Sequence, residues 1–242
     1  MDDPTLWIGN AIIIKTRRTT YNVGYESFRR LQWEELVPHT SKWLNDEIIA
    51  AHLAILGMKE DAKLEIDTNN KCSYFMSTYL VTTLIREGYQ GVKKWGRKVA
   101  APRSLLDGKH IFFPININNN HWVLVVAETE TRKIKFYDTY HGNEGRYYGE
   151  LVAEYLRMEC DETFVYEEYH YTPSQRDSYS CGVFILAEIE AIIEGAPLDF
   201  NEGEMQVTYR QYLAGELIKF WNRRPDRESV EDDSVDVTEV CM

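Results

Sequence analysis

Apolar residues recur at helical spacing through residues 44–56, where Leu44, Ile48, Ile49, His52, Leu53 and Leu56 share one face. Asn45, Asp46 and Glu47 precede that run, as suits the positive end of a helix dipole, and Gly57 predicts its stop. Further helices are predicted over 73–87, closed by Gly88, over 150–157, over 181–194, closed by Gly195 with Pro197 beyond, and over 209–221. Residues 33–36 read as a short helix stopped by Pro38. Residues 11–15 read as a strand, and Ile111-Phe-Phe-Pro-Ile-Asn-Ile117 as a buried one. After the polar tract Asn118-Asn-Asn-His121, residues 122–128 and 133–138 form the two arms of a predicted hairpin joined through 129–132. Residues 164–169 supply another strand. Helices at both ends around a block of strands predict an α+β domain rather than alternating βαβ units. The pattern lapses from Arg223 onward, where the chain is charged and nearly without aromatics. Residues 1–222 are therefore expected to form one domain and 223–242 a disordered acidic tail.

Composition narrows the function. Of 242 residues, 44% are apolar and 13% aromatic, enough for a core, and no internal repeat is present. No apolar run approaches the roughly 20 residues a membrane span needs. The opening Met-Asp-Asp-Pro-Thr is acidic where a secretory or mitochondrial signal is basic. Cys72, Cys160, Cys181 and Cys241 are too few and scattered for a disulfide framework, and no paired spacing suggests zinc. A reducing nuclear or cytoplasmic setting follows. A formal charge of −12 argues against a nucleic-acid partner, which needs clustered Lys and Arg, and is compatible with a partner presenting a basic patch.

The candidate chemistry centres on Cys181. A turn-prone stretch, Gln175-Arg-Asp-Ser-Tyr-Ser, runs straight into the apolar segment Cys181-Gly-Val-Phe-Ile-Leu. The thiol is thereby predicted at a helix N-terminus, where unpaired N–H groups favour thiolate. A lone cysteine is more often a packed structural thiol, so the hairpin must supply the rest. If Thr129-Glu130 centres the turn, His121 lies opposite Asp138; a four-residue loop moves His121 opposite Tyr140 and keeps Asp138 a near neighbour. Either register places an imidazole beside a carboxylate that can orient it. His141 follows Asp138 closely enough to be a rival base. Gln175, six residues before the cysteine, could join the Cys181 N–H as an oxyanion donor.

Four ordered blocks resemble one family. They are Trp43-Leu-Asn-Asp-Glu-Ile-Ile, Ile111-Phe-Phe-Pro-Ile with Asn-Asn-Asn-His121-Trp-Val-Leu, Phe136-Tyr-Asp138-Thr, and Pro173-Ser-Gln175 with Ser-Cys181-Gly-Val-Phe. Together they are similar to the ubiquitin-like-protein-specific cysteine proteases, the SUMO or sentrin proteases. Weaker similarity adds Cys72-Ser-Tyr-Phe-Met-Ser-Thr-Tyr-Leu, which resembles a helix packed behind the active site, and Val92-Lys-Lys-Trp95-Gly-Arg-Lys-Val. The resemblance runs from about Phe28 to Trp221.

It implies a papain-like fold, with a central mixed sheet flanked by helices. It also implies catalysis by His121, Asp138 and Cys181, with Gln175 as oxyanion donor, and cleavage after the Gly-Gly end of a ubiquitin-like modifier, SUMO foremost. Trp43 and Trp122 would roof a narrow tunnel for that tail, and Asp46 would face an arginine of the modifier. No cofactor or metal is implied, nor a nucleic-acid or membrane partner, and a monomer is expected. Ser180 departs from the family, which usually carries aspartate just before the nucleophile, so altered loop hydrogen bonding is expected there. The first 25 residues match nothing in the family, and its long regulatory N-terminal region is absent, so the chain reads as either a minimal enzyme or an excised catalytic domain. The same chemistry on a Nedd-type modifier or ubiquitin, an acyltransferase with the same three residues, and a non-catalytic modifier-binding module stand as alternatives.

Overall fold

A computed structural model describes residues 7, 10–31, 42–168 and 171–222. Strands β1 (Ala11–Lys15) and β2 (Thr20–Val23) form an antiparallel pair, followed by the short helix α1 (Tyr25–Phe28). Helix α2 (Asp46–Ile66) then crosses the molecule. Strand β3 (Ser73–Phe75) leads to α3 (Leu80–Val92) and α4 (Trp95–Ala100). Three strands follow, β4 (His110–Ile117), β5 (His121–Glu128) and β6 (Lys133–Tyr137), then α5 (Gly145–Cys160) and the two-residue strand β7 (Val165–Tyr166). The chain closes with α6 (Cys181–Glu194), a wide helical turn over Glu204–Tyr209, α7 (Arg210–Ile218) and β8 (Trp221–Asn222).

The central sheet has the order β3-β4-β5-β6-β7, parallel at its two margins and antiparallel in the middle. A small sheet, β2-β1-β8, packs on α2. The alternation along β5 explains its unbroken apolar run. Trp122, Leu124 and Val126 join a core with α2 and α6, while Val123, Val125 and Ala127 join a second core with α3 and α5. Both faces of the sheet are covered, so both sets of side chains must be apolar. Helices α2 and α6 are buried nearly all round in their first halves for the same reason. Among the described residues, no helix is long and apolar enough to cross a membrane.

Several predicted boundaries move. Helix α2 passes through Gly57 and ends nine residues later. A helix-interior glycine costs about 1 kcal/mol, and the extension recovers this through Glu60, whose buried carboxylate accepts the Ser73 N–H at 2.6 Å. Residues 73–75 are a strand rather than the start of a helix, because Ser73, Tyr74 and Phe75 pair in parallel with His110, Ile111 and Phe112. Gly88 does interrupt the helix (φ 66°), but α3 resumes beyond it to Val92. Helix α5 is longer than predicted at both ends, and of the strand predicted over 164–169 the described residues 164–168 retain only β7. The last helix stops at Ile218, since Trp221 turns away to pair with Ile12. Helix α6 has the predicted bounds and closes on Gly195 at φ 68°. The predicted helix over 33–36 and the acidic tail lie outside the described residues.

Candidate active site

Asparagines set the start of the histidine strand. Asn118 and Asn119 take φ of 52° and 58°, left-handed values asparagine tolerates, and Asn120 donates its N–H to the Ile117 carbonyl. That tight turn places His121 opposite Ile117 at the open end of the β5–β6 hairpin. In the hairpin, Glu128 faces Lys133 across a four-residue loop and Leu124 faces Tyr137. The longer-loop register is thus the one adopted. Extended by three residues it brings Tyr140 across from His121, and the two rings stack with centroids 4.7 Å apart. Asp138 turns back toward the same histidine, with Oδ1 2.7 Å from His121 Nε2.

Asp138 is held by its own turn. Oδ1 also accepts the Tyr140 N–H at 2.9 Å, and Oδ2 accepts the Gly142 N–H at 2.8 Å. Burial alone would raise its pKa, but His121 and these two amides hold it below the usual carboxylate value. Burial would likewise lower the His121 pKa, yet hydrogen bonds with Asp138 and Cys181 outweigh this and raise it to about 9. Nε2 is committed to Asp138, which leaves Nδ1 as the nitrogen for the thiol. His141, the rival base, points elsewhere and shares a 2.6 Å hydrogen bond with Ser174.

Cys181 opens α6 and is 3% exposed. The Ser180 carbonyl accepts the N–H groups of both Val183 and Phe184, so the Cys181 and Gly182 amides, as first-turn groups, keep no intrahelical acceptor. Gly182 packs closely: a Cβ there would sit 3.0 Å from Leu44 Cβ and 3.1 Å from Trp122 Cδ1, so both neighbours would have to give by a few tenths of an ångström. Gln175 is buried beside this helix head. Its Oε1 accepts the Thr139 hydroxyl at 2.5 Å and its Nε2 donates to the Asp177 carbonyl at 2.9 Å. An amide has two N–H donors; besides this bond, Nε2 makes a long contact with Asp177 Oδ1 at 3.4 Å and a hydrogen bond to the Tyr140 hydroxyl oxygen.

A cleft of about 210 Å³ leads to Cys181 between Trp43 and Trp122, with Arg30, Asn116, Asn119, Asn120 and Asp46 on its walls. Trp122 is fixed by its Nε1, which donates to the Leu44 carbonyl at 2.7 Å. Trp43 is held through its carbonyl by Arg30 Nη1 at 2.9 Å. Asp46 is the first residue of α2, whereas the cap is Asn45, whose Oδ1 accepts the Ile48 N–H. Asp46 instead accepts the Tyr79 hydroxyl and also borders a larger groove of about 410 Å³ running toward Arg18 and β2.

Of the seven residues singled out in the sequence, Trp43, Asp46, Trp122 and Cys181 line this cleft, His121 bonds both Cys181 and Asp138, and Gln175 is buried beside the helix head. Asp177, Arg30 and Arg210 were not anticipated, whereas Tyr140 is the residue expected opposite His121 in the longer-loop register. Arg210 is fully buried and donates to the carbonyls of Arg30, Lys42 and Tyr179, tying the Trp43 segment to the nucleophile loop. It lies 29 residues beyond the cysteine on a helix with no marked polar pattern, so no sequence signal pointed to it. Asp177 stood within the turn-prone stretch and could have been flagged as a helix-cap carboxylate.

Residues 42–219 match the Ulp1 protease family, C-terminal catalytic domain. Ubiquitin-like-specific protease 1A of Arabidopsis thaliana is 28% identical over 74% of this chain and 37% of its own length. Human sentrin-specific protease 2 is 26% identical over 73% of this chain and 30% of its own length. The chain thus spans about a third of the length of these curated relatives. The C-terminal Ulp1 protease domain in complex with Smt3, the yeast orthologue of SUMO, superposes with a TM-score of 0.66 at 22% identity, over 87% of this chain and 88% of that one. The Chaetomium thermophilum Ulp1-like SUMO protease catalytic domain gives 0.66 at 20% identity, over 81% of this chain and 79% of that one. The structures share the fold, and the sequence match covers well over half of the chain, which therefore belongs to the Ulp1 protease family.

Proposed function

We propose that the chain is a thiol protease that cleaves after the Gly-Gly end of a ubiquitin-like modifier, SUMO foremost, both from lysine conjugates and from precursors. The observation that carries this reading is the lining of the cleft. Arg30 Nε, Trp43 Nε1 and Asn116 Oδ1 are buried there without any hydrogen-bond partner. Leaving such groups unpaired costs roughly 1–3 kcal/mol each, which an extended peptide that shifts the two indoles on entry would recover by offering carbonyls to the two donors and an N–H to the acceptor. Between two indoles, only residues without side chains fit such a slot, and two glycines satisfy that condition. The names of the relatives, ubiquitin-like-specific and sentrin-specific proteases, support the same substrate class.

In this mechanism Cys181 Sγ attacks the carbonyl carbon of the terminal glycine and its proton resides on His121. The oxyanion is met by the Cys181 N–H and by Gln175 Nε2, which turns a proton toward it from the Tyr140 hydroxyl. His121 then gives its proton to the departing lysine amine, leaving a thioester. Water, deprotonated by the same ring, releases the modifier as a free carboxylate and restores the thiol. Asp138 holds the ring and stabilises its charged form without taking the proton. Asp46, which accepts the Tyr79 hydroxyl through Oδ2, would meet a cationic residue on the body of the modifier through Oδ1.

The test is a panel of modifier proteins carrying C-terminal propargyl warheads. SUMO probes are expected to label Cys181, and failure of every modifier in the panel to label it would overturn the reading. Preference for a Nedd-type or ubiquitin probe would keep the chemistry and change the substrate.

A further inference from the structure

We infer that Asp177 is the positioning residue of the nucleophile, supplying from four residues upstream the carboxylate that this chain lacks at Ser180. The inference rests on the proposed protease chemistry and names what aligns it. The Asp177 carboxylate meets four donors within 3.0 Å, besides the longer contact with Gln175 Nε2. Oδ1 accepts the N–H groups of Tyr179 (3.0 Å) and Ser180 (2.8 Å), and Oδ2 accepts the Ser180 hydroxyl (2.6 Å) and Gln206 Nε2 (2.7 Å). Its backbone works as well: the carbonyl accepts Gln175 Nε2 (2.9 Å) and the Tyr140 hydroxyl (2.6 Å), and the N–H donates to Glu202 Oε1 (2.6 Å).

These partners have one thing in common. Ser180, buried completely, directs the peptide unit that ends in the Cys181 N–H. Gln175 carries the other oxyanion donor, and Tyr140 is the ring stacked on His121. One residue thus joins both oxyanion donors, the nucleophile and the base. Burial lowers the pKa of Arg210 to about 10 against the pull of Asp177, the first of the charges that favour its cationic form. The carboxylate therefore also balances the buried cation behind the loop. Ser180 satisfies both polar groups it presents to Asp177, so an aspartate at 180 and a serine at 180 with Asp177 are two solutions to the same local requirement.

The experiment compares wild type with Asp177→Asn, Asp177→Ala and the double variant Asp177→Ala with Ser180→Asp, using a fluorogenic modifier ending in Gly-Gly. Asp177→Ala is expected to lower kcat by about 100-fold, comparable to loss of an oxyanion donor, with KM within about threefold. The near-isosteric Asp177→Asn, whose amide offers one acceptor oxygen instead of two, is expected to lose roughly tenfold. The double variant is expected to regain at least about tenfold over Asp177→Ala. Titration with the propargyl probe separates positioning from misfolding. A full complement of reactive thiols with reduced kcat supports the inference, and a titre that falls in step with kcat overturns it. Asn and Ala variants within twofold of wild type, or a double variant with no recovery, would also overturn it. If wild type turns over no modifier, the protease reading fails, and the inference is scored on Cys181 labelling by iodoacetamide. Slower labelling in Asp177→Ala with recovery in the double variant sustains it; equal rates sink it.

Discussion

The two halves of the active site are built on opposite principles. The His121–Asp138 half sits on one hairpin, and its geometry follows from an antiparallel register and two local turns. The Cys181 half is assembled from segments far apart in the chain. Trp122 bonds Leu44 across 78 residues and Arg210 bonds Lys42 across 168. In the proposed mechanism the first half acts by charge, with an imidazole held between a carboxylate and a thiol. The second acts by shape and by first-turn N–H groups, since the helix head leaves room for no more than a glycine's hydrogen before Leu44 and Trp122 are crowded. Damage to the two halves should therefore look different: pH-dependent in one, steric and pH-independent in the other.

The largest effect is expected where the halves meet. Cys181→Ala should abolish measurable turnover, a loss of about 10⁶ in kcat by analogy with other nucleophile deletions, while modifier binding measured by calorimetry stays near wild type. Residual cleavage near the wild-type rate would place the nucleophile elsewhere. Next comes Asp138→Asn, expected to lower kcat by ~10³–10⁴. It should also move the alkaline limb of the rate profile. In wild type the charged His121 ring is lost as pH rises through about 9; without the carboxylate that loss should occur nearer the ordinary histidine value. The same sign governs stability. The contribution of His121 is complete below its unfolded pKa, about 6.5, and disappears as pH rises through about 9. An unshifted alkaline limb in the variant would assign the raised pKa to something other than Asp138.

Gly182→Ala tests the steric half. Overpacking of this kind costs about 1–3 kcal/mol, so kcat/KM should fall roughly 10- to 100-fold with no change in the shape of the pH profile. A displaced limb would show that the halves are electrically coupled more tightly than proposed. The smallest effect is expected from Trp43→Phe, which keeps an aromatic roof and removes the unpaired indole N–H. Loss of one hydrogen bond of about 1 kcal/mol should raise KM about fivefold and leave kcat alone. A change confined to kcat would mean that Trp43 aligns the reacting bond rather than the tail.

The same contrast decides what could be read in advance. Apolar periodicity found α6 with both ends, because a helix is a local object and Gly195 marks its close. It found the hairpin too, leaving only two registers open. It misplaced residues 73–75, since a parallel strand is defined by a partner 37 residues later in the chain, His110 to Phe112, and three residues carry no period of their own. It ended α2 at Gly57, since the compensating bond from Ser73 to Glu60 is tertiary. Trp221 was read as helix because its spacing suits one, although β1 offers an unpaired edge that it completes as β8.

For this protein the sequence by itself determined the residue types of the chemistry, their order along the chain, the helix start that carries the thiol and the nearness of His121 to Asp138. Those follow from local propensity and short-range pairing. Tertiary structure decided which hairpin register is adopted, which way the histidine faces, how the two tryptophans narrow one cleft, and that Asp177 and Arg210 bond the loop before Cys181. Each of these depends on hydrogen bonds and packing between segments whose separation in sequence carries no local signal, so they emerge only when the central sheet and its covering helices bring those segments together.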